Sequence, residues 1–143
     1  MRNKHIDKDK ILSKIDQLDQ YLEEIEEIRP LDFKTYTIIE KKRSVERLLQ
    51  ISIKTVIDIC TIINSNLKLG IPSDEDSLFM RLSEKGIISK ELSAILLEMK
   101  GFRNVLVHKY GEVNDEQVFE NLDTLIDFEK FKQEILKFLK KEK

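Results

Sequence analysis

Leu48-Leu-Gln-Ile-Ser-Ile-Lys-Thr-Val-Ile-Asp-Ile-Cys-Thr-Ile-Ile63 is apolar on most of its sides, and its reading decides the fold. Its β-branched residues (Ile51, Ile53, Val56, Ile57, Ile59) would suit a strand as well as a helix. Length, the helical spacing of the charges upstream and the absence of turn residues choose the helix. The pattern starts near Phe33 or Thr35 and runs unbroken to about Leu67. Its latter half is therefore the expected central helix of a bundle.

Working outward, Ile11, Ile15, Leu18, Leu22, Ile25 and Ile28 recur at steps of four and three, the signature of an amphipathic helix. Pro30 ends it, because a proline pushes the residue before it out of the helical region. Gly70-Ile-Pro72-Ser73-Asp74 reads as a loop, followed by a short helix around Asp76 to Lys85 and a stop at Gly86. Ser89 is the expected N-cap of a helix carrying Leu92, Ile95, Leu96, Met99, Phe102 and Leu106. Gly111 would close it with a left-handed cap. Asn114 or Asp115 opens a last helix with Val118, Leu122, Leu125, Ile126, Phe131, Ile135 and Phe138 inside. The prediction is an all-α bundle of four long helices and one short one, a single domain over residues 1–143, with no internal repeat.

The chain is 41% hydrophobic and 36% charged, with four Gly and two Pro, a balance that argues against disorder and is typical of helices with one wet face. The single cysteine, Cys60, lies in an apolar run and rules out a disulfide framework within one copy; it reads as a buried small hydrophobe rather than a nucleophile. The charged N-terminus has no stretch like a signal peptide, and no segment approaches the roughly 18 uninterrupted apolar residues of a membrane span. The expectation is a soluble, cytoplasmic protein with no membrane association. A formal net charge of −2 does not advertise a nucleic-acid binder, so any positive potential for RNA has to be local, inside a cleft.

Reactive groups concentrate in Arg103-Asn-Val-Leu-Val-His108-Lys-Tyr110, although the chain has only two histidines and three tyrosines. Arginine keeps its charge and grips phosphate in a bidentate fork; histidine moves protons near neutrality. Together they are the minimum equipment for chemistry on a phosphodiester. No His/Cys cluster is present to hold zinc, and Asp74, Glu75 and Asp76 look like solvated helix-entry charges rather than a magnesium site. No metal and no cofactor is expected.

The spacing complicates that chemistry. Five residues along a helix turn through roughly 140°, so Arg103 and His108 do not converge on one straight helix, whereas Arg103 and Tyr110 share a face. The helix could unwind after Val107, or a two-fold dimer could bring the groups of two copies together, which would also supply two imidazoles. The plainer reading is that Arg103 salt-bridges a surface carboxylate and His108 sits at a helix end, favoured by the dipole. Arg47, Lys54, Asp58 and Thr61 make one polar stripe on the central helix: either an exposed face, or a border of the same cleft from which Asp58 orients His108 or Arg103. Gly101, the one glycine away from a predicted boundary, marks either a close backbone neighbour or room beside Arg103 for a ligand or a second copy.

The stretch Glu98-Met-Lys-Gly-Phe-Arg103-Asn-Val-Leu-Val-His108-Lys-Tyr110-Gly resembles the Arg-x4-His-x-Tyr signature of the HepT-like ribonuclease toxins of the HEPN superfamily. Glu46-Arg-Leu-Leu-Gln50, Val56-Ile-Asp58-Ile-Cys60, Leu69-Gly-Ile-Pro72 and Leu82-Ser-Glu-Lys-Gly86-Ile-Ile are similar to family sequence in order and spacing. The resemblance implies an all-helical homodimer, the toxin of a type VII-like toxin–antitoxin pair that cleaves RNA without a metal. Its implied partner is a minimal nucleotidyltransferase antitoxin, which silences the toxin by AMPylation of the motif tyrosine. By motif position Arg103 would hold the scissile phosphate, His108 would handle the proton of the attacking 2′-hydroxyl or leaving 5′-oxygen, and Asn104 would orient the site. Tyr110 would be both a site residue and the modification target. The rival readings are a non-catalytic module that binds a nucleotide or a nucleotidyltransferase in the same cleft, and a purely structural helical protein.

Overall fold

A computed structural model of the chain describes residues 5–108 and 113–142, and every described regular element is helical. In order these are α1 (Lys8–Ile28), α2 (Phe33–Tyr36), α3 (Ile39–Asn66), α4 (Glu75–Glu84), α5 (Lys90–His108), α6 (Asp115–Asn121) and α7 (Ile126–Lys141). A single 3-10 turn, Leu122–Thr124, joins α6 to α7. The stretch that decided the fold lies inside α3, which at 28 residues spans roughly 42 Å at the usual helical rise. α1 packs along α3, α4 and α5 pack on it and on each other, and α7 closes against α5.

The core has two parts. The larger joins Ile11, Ile15 and Leu18 of α1 to Ile53, Val56, Ile59, Cys60 and Ile63 of α3, with Phe79, Leu92, Leu96, Phe131 and Ile135 from the later helices. Each such side chain, fully buried, contributes roughly 1.5–3 kcal/mol of apolar transfer. The smaller part gathers Ile25, Tyr36, Val45, Leu49, Leu106, Val118 and Leu122. Among the described residues α3 is the one helix long and apolar enough to cross a membrane by length and composition. In this fold 56% of its most apolar window is buried inside the protein, as in the core helix of a bundle.

Local chemistry accounts for most boundaries. Arg29, just before Pro30, is extended and ends α1. The Asp32, Asp74 and Asn114 side chains accept backbone N–H bonds at the starts of α2, α4 and α6, and Ser89 Oγ accepts from Leu92 N at the start of α5. Gly86 takes a positive φ of 75° beyond α4, as a stop requires. The expected cap at Gly111 lies outside the described residues.

Two expected continuous helices are broken. The pattern read as unbroken from Phe33 or Thr35 to Leu67 is interrupted at Thr37 and Ile38. Thr37 Oγ1 donates to Lys34 O, and Ile38 is extended within the β-branched run Thr37-Ile38-Ile39. The expected last helix divides at Leu122–Leu125, where Asn121 Nδ2 donates to Gln117 O and Thr124 Oγ1 to Asn121 O. The bundle thus has four long helices (α1, α3, α5, α7) and the expected short α4, with α2 and α6 as further short pieces.

Candidate functional site

The candidate site is built on the last turns of α5. Phe102 and Leu106, four apart, turn inward and pack into the smaller core cluster, which fixes the rotation of the helix. That leaves Arg103 on the edge facing α4, with its side chain 20% exposed. Asn104 is half-buried beside it.

α4 answers with carboxylates. Arg103 Nη2 donates to Glu75 Oε1 and Oε2, each at 3.1 Å. One turn earlier Lys100 Nζ pairs with Asp76 at 2.6 Å, which raises the Lys100 pKa chiefly through that hydrogen bond. The salt bridge expected by the plainer reading of Arg103 is therefore present, and its carboxylate is Glu75, a helix-entry charge that is partly covered rather than fully solvated. A signal for it was available: two cations three residues apart on α5 match Glu75 and Asp76 in the first turn of α4.

The preceding loop delivers that turn. Lys68 and Gly70 take positive φ values of 55° and 95°. The Gly70 carbonyl accepts from Asn64 Nδ2 at 2.8 Å and Arg81 Nη1 at 3.1 Å, tying the loop to α3 and to α4. Asp74 Oδ1 then caps α4 by accepting from Ser77 N at 2.7 Å, which holds the Asp74 carboxyl below its usual range.

α5 is helical through His108, its last described residue. The step from Arg103 remains helical, and the two positions stay roughly 140° apart on one axis. Tyr110 lies outside the described residues. Asp58 accepts from Lys54 Nζ at 3.1 and 3.2 Å and lies 3.7 Å from Lys14 Nζ, so its described partners are lysines of α3 and α1. Arg47, Lys54 and Thr61 are exposed, making the stripe the wet edge of α3. At Gly101 no heavy atom of the described residues lies within 4 Å of an added Cβ, so none of their backbone crowds it; two helical residues turn through roughly 200°, so this opening lies on the side of α5 away from Arg103. Cys60 is fully buried and burial pushes its thiol pKa well up, the state of a packed hydrophobe.

Comparison with known proteins agrees with the motif. The "tRNA nuclease HepT" of Aphanizomenon flos-aquae is 30% identical over 110 residues, covering 76% of this chain and 75% of that protein. The "mRNA nuclease HepT" of Shewanella oneidensis is 38% identical over 84 residues, 58% of this chain and 63% of that one. A solved structure of a tri-AMPylated Shewanella oneidensis HEPN toxin in complex with MNT antitoxin superposes with a TM-score of 0.80 at 30% identity, covering 92% of this chain and 97% of that one. The family model described as ribonuclease HepT-like matches residues 18–135, most of the chain and the whole motif segment. The chain belongs to the HepT-like ribonuclease family.

Proposed function

We propose that this protein is the ribonuclease toxin of a type VII-like toxin–antitoxin pair, cleaving RNA without a metal at a cleft shared by two copies in the cytoplasm. The observation that carries the reading is the Arg103-x4-His108 motif on the last described turns of α5, with the Arg103 side chain 20% exposed, in a chain of this family. Arg103 neutralises the scissile phosphate and His108 moves the proton of the 2′-hydroxyl or the leaving 5′-oxygen. Asn104 helps orient the site by hydrogen bonding. As far as His108 the positions of α5 turn through roughly 140° from Arg103, which supports two copies as the way the two groups meet. Attack by a neighbouring 2′-hydroxyl is intramolecular, so proton transfer and charge stabilisation suffice. A minimal nucleotidyltransferase antitoxin would silence the toxin by transferring AMP from ATP to the Tyr110 hydroxyl, two residues from His108, with release of pyrophosphate. The AMPylated Shewanella toxin bound to its antitoxin supports that partner and that modification.

General acid–base help is worth about 10²–10⁴-fold, so His108→Ala should slow RNA cleavage by at least about 10²-fold with an unchanged melting temperature. Wild-type protein that cleaves no RNA in the presence of a chelator would overturn the proposal. The net charge of −2 favours one second reading, a non-catalytic module whose Arg103 helps bind a nucleotide or a partner nucleotidyltransferase. On that reading Arg103→Ala loosens the complex and no RNA is a substrate.

A further inference from the structure

We infer that Glu75 is the positioning residue of Arg103, holding the guanidinium by Nη2 so that its Nη1 edge is presented to a phosphate oxygen. The inference rests on the ribonuclease reading and adds a residue that the motif does not contain.

Three observations carry it. Both Glu75 carboxylate oxygens converge on one terminal nitrogen, Nη2, at 3.1 Å. Arg103 Nε is buried and has no hydrogen-bond partner among the described residues, and no bond is made there by Nη1. Among the described residues the planar group is therefore held at one point, and the Nη1 donors have no partner there. Finally, Glu75 is itself held in place. It sits in the first turn of α4, beside the Asp74 cap and the Lys100–Asp76 pair, behind a loop gripped by Asn64 and Arg81.

The pair is half-open, with Arg103 20% and Glu75 34% exposed, and an ion pair at that exposure contributes little to folding. A purely structural role would leave little to lose. Its effect should instead appear in the reaction, because a misplaced charge no longer meets the phosphate where negative charge develops. Glutamine at this position keeps an acceptor oxygen for Nη2 without the charge.

The test compares Glu75→Ala, Glu75→Gln and Arg103→Ala in RNA cleavage, in thermal melting, and in binding of an uncleavable 2′-deoxy oligonucleotide. Glu75→Ala should lower kcat by about 10–100-fold with KM changed by less than about threefold, and Glu75→Gln should recover most of the loss, at unchanged melting temperature. Activity of Glu75→Ala equal to wild type overturns the inference, and higher activity shows that the carboxylate competes with the phosphate. Equal loss in both Glu75 variants with a fall in melting temperature also overturns it, in favour of a structural role. Should wild-type protein bind the oligonucleotide but cleave no RNA, the ribonuclease reading fails alone. Glu75 is then judged by affinity, where weakening by Glu75→Ala with recovery in Glu75→Gln supports positioning and no change overturns it. Wild-type protein that neither cleaves nor binds overturns both.

Discussion

Replacing Gly101 by alanine tests whether the exposed side of α5 at that position is open in solution. Gly101 is exposed, lies in the interior of the 19-residue α5, and has no positive φ. An added Cβ would meet no heavy atom within 4 Å, so the methyl introduces no clash. The remaining effect is helix propensity, which favours alanine over glycine by up to about 1 kcal/mol, partly by narrowing the unfolded ensemble. Unfolding entropy of about 2.1 cal/mol/K per residue over 143 residues gives about 0.3 kcal/mol/K, so the melting temperature should rise by roughly 3 °C. Calorimetry and a guanidinium titration, with light scattering to follow assembly, measure this directly. A lower melting temperature together with a shift from dimer to monomer would refute the reasoning. It would mean that a second copy's backbone occupies the space.

Other expectations follow from individual contacts. Cys60, at 0% exposure and with its thiol pKa raised by burial, should resist thiol reagents in the native state and label along the unfolding transition. Ser89→Ala removes an N-cap whose hydroxyl and backbone N–H also bind the two oxygens of Glu134 on α7; it should cost about 1 kcal/mol in a denaturant titration. The Asp74 carboxyl is held below its usual value by the Ser77 backbone N–H. A depressed folded pKa contributes stability above the unfolded value, near 3.8, and loses it as pH falls through the folded value. Asp74→Asn, which can still cap, should therefore flatten the loss of melting temperature below about pH 4, and an unchanged acid profile would count against this role.

Much of the architecture is legible along the chain because its signals are local. Apolar spacing is a property of one helix at a time, and Pro30, Ser89, Gly86 and Asn114 act on their own neighbours. The breaks at Thr37–Ile38 and Leu122–Leu125 escape that reading because helical apolar spacing continues across them. Val118, Leu122 and Leu125 keep their rhythm while Asn121 and Thr124 bond back to preceding carbonyls. Arg103 and His108 stand out as residue types in a pattern, but the partner of Arg103 does not. Glu75 is 28 residues away, and a carboxylate next to two others reads as solvated until α4 is laid against α5.

The sequence by itself determined an all-helical chain, the order of its long helices and a motif of arginine, asparagine and histidine near the end of one of them. Periodicity, capping and residue chemistry act over a few neighbours, so they survive without coordinates. What surrounds that motif depends on packing between distant helices. Packing of Phe102 and Leu106 sets the rotation of α5, the Gly70 loop sets the start of α4, and the two together bring Glu75 to Arg103. The tertiary structure also kept α5 helical through His108, which turns the convergence of the two motif residues into a question for a second copy of the chain.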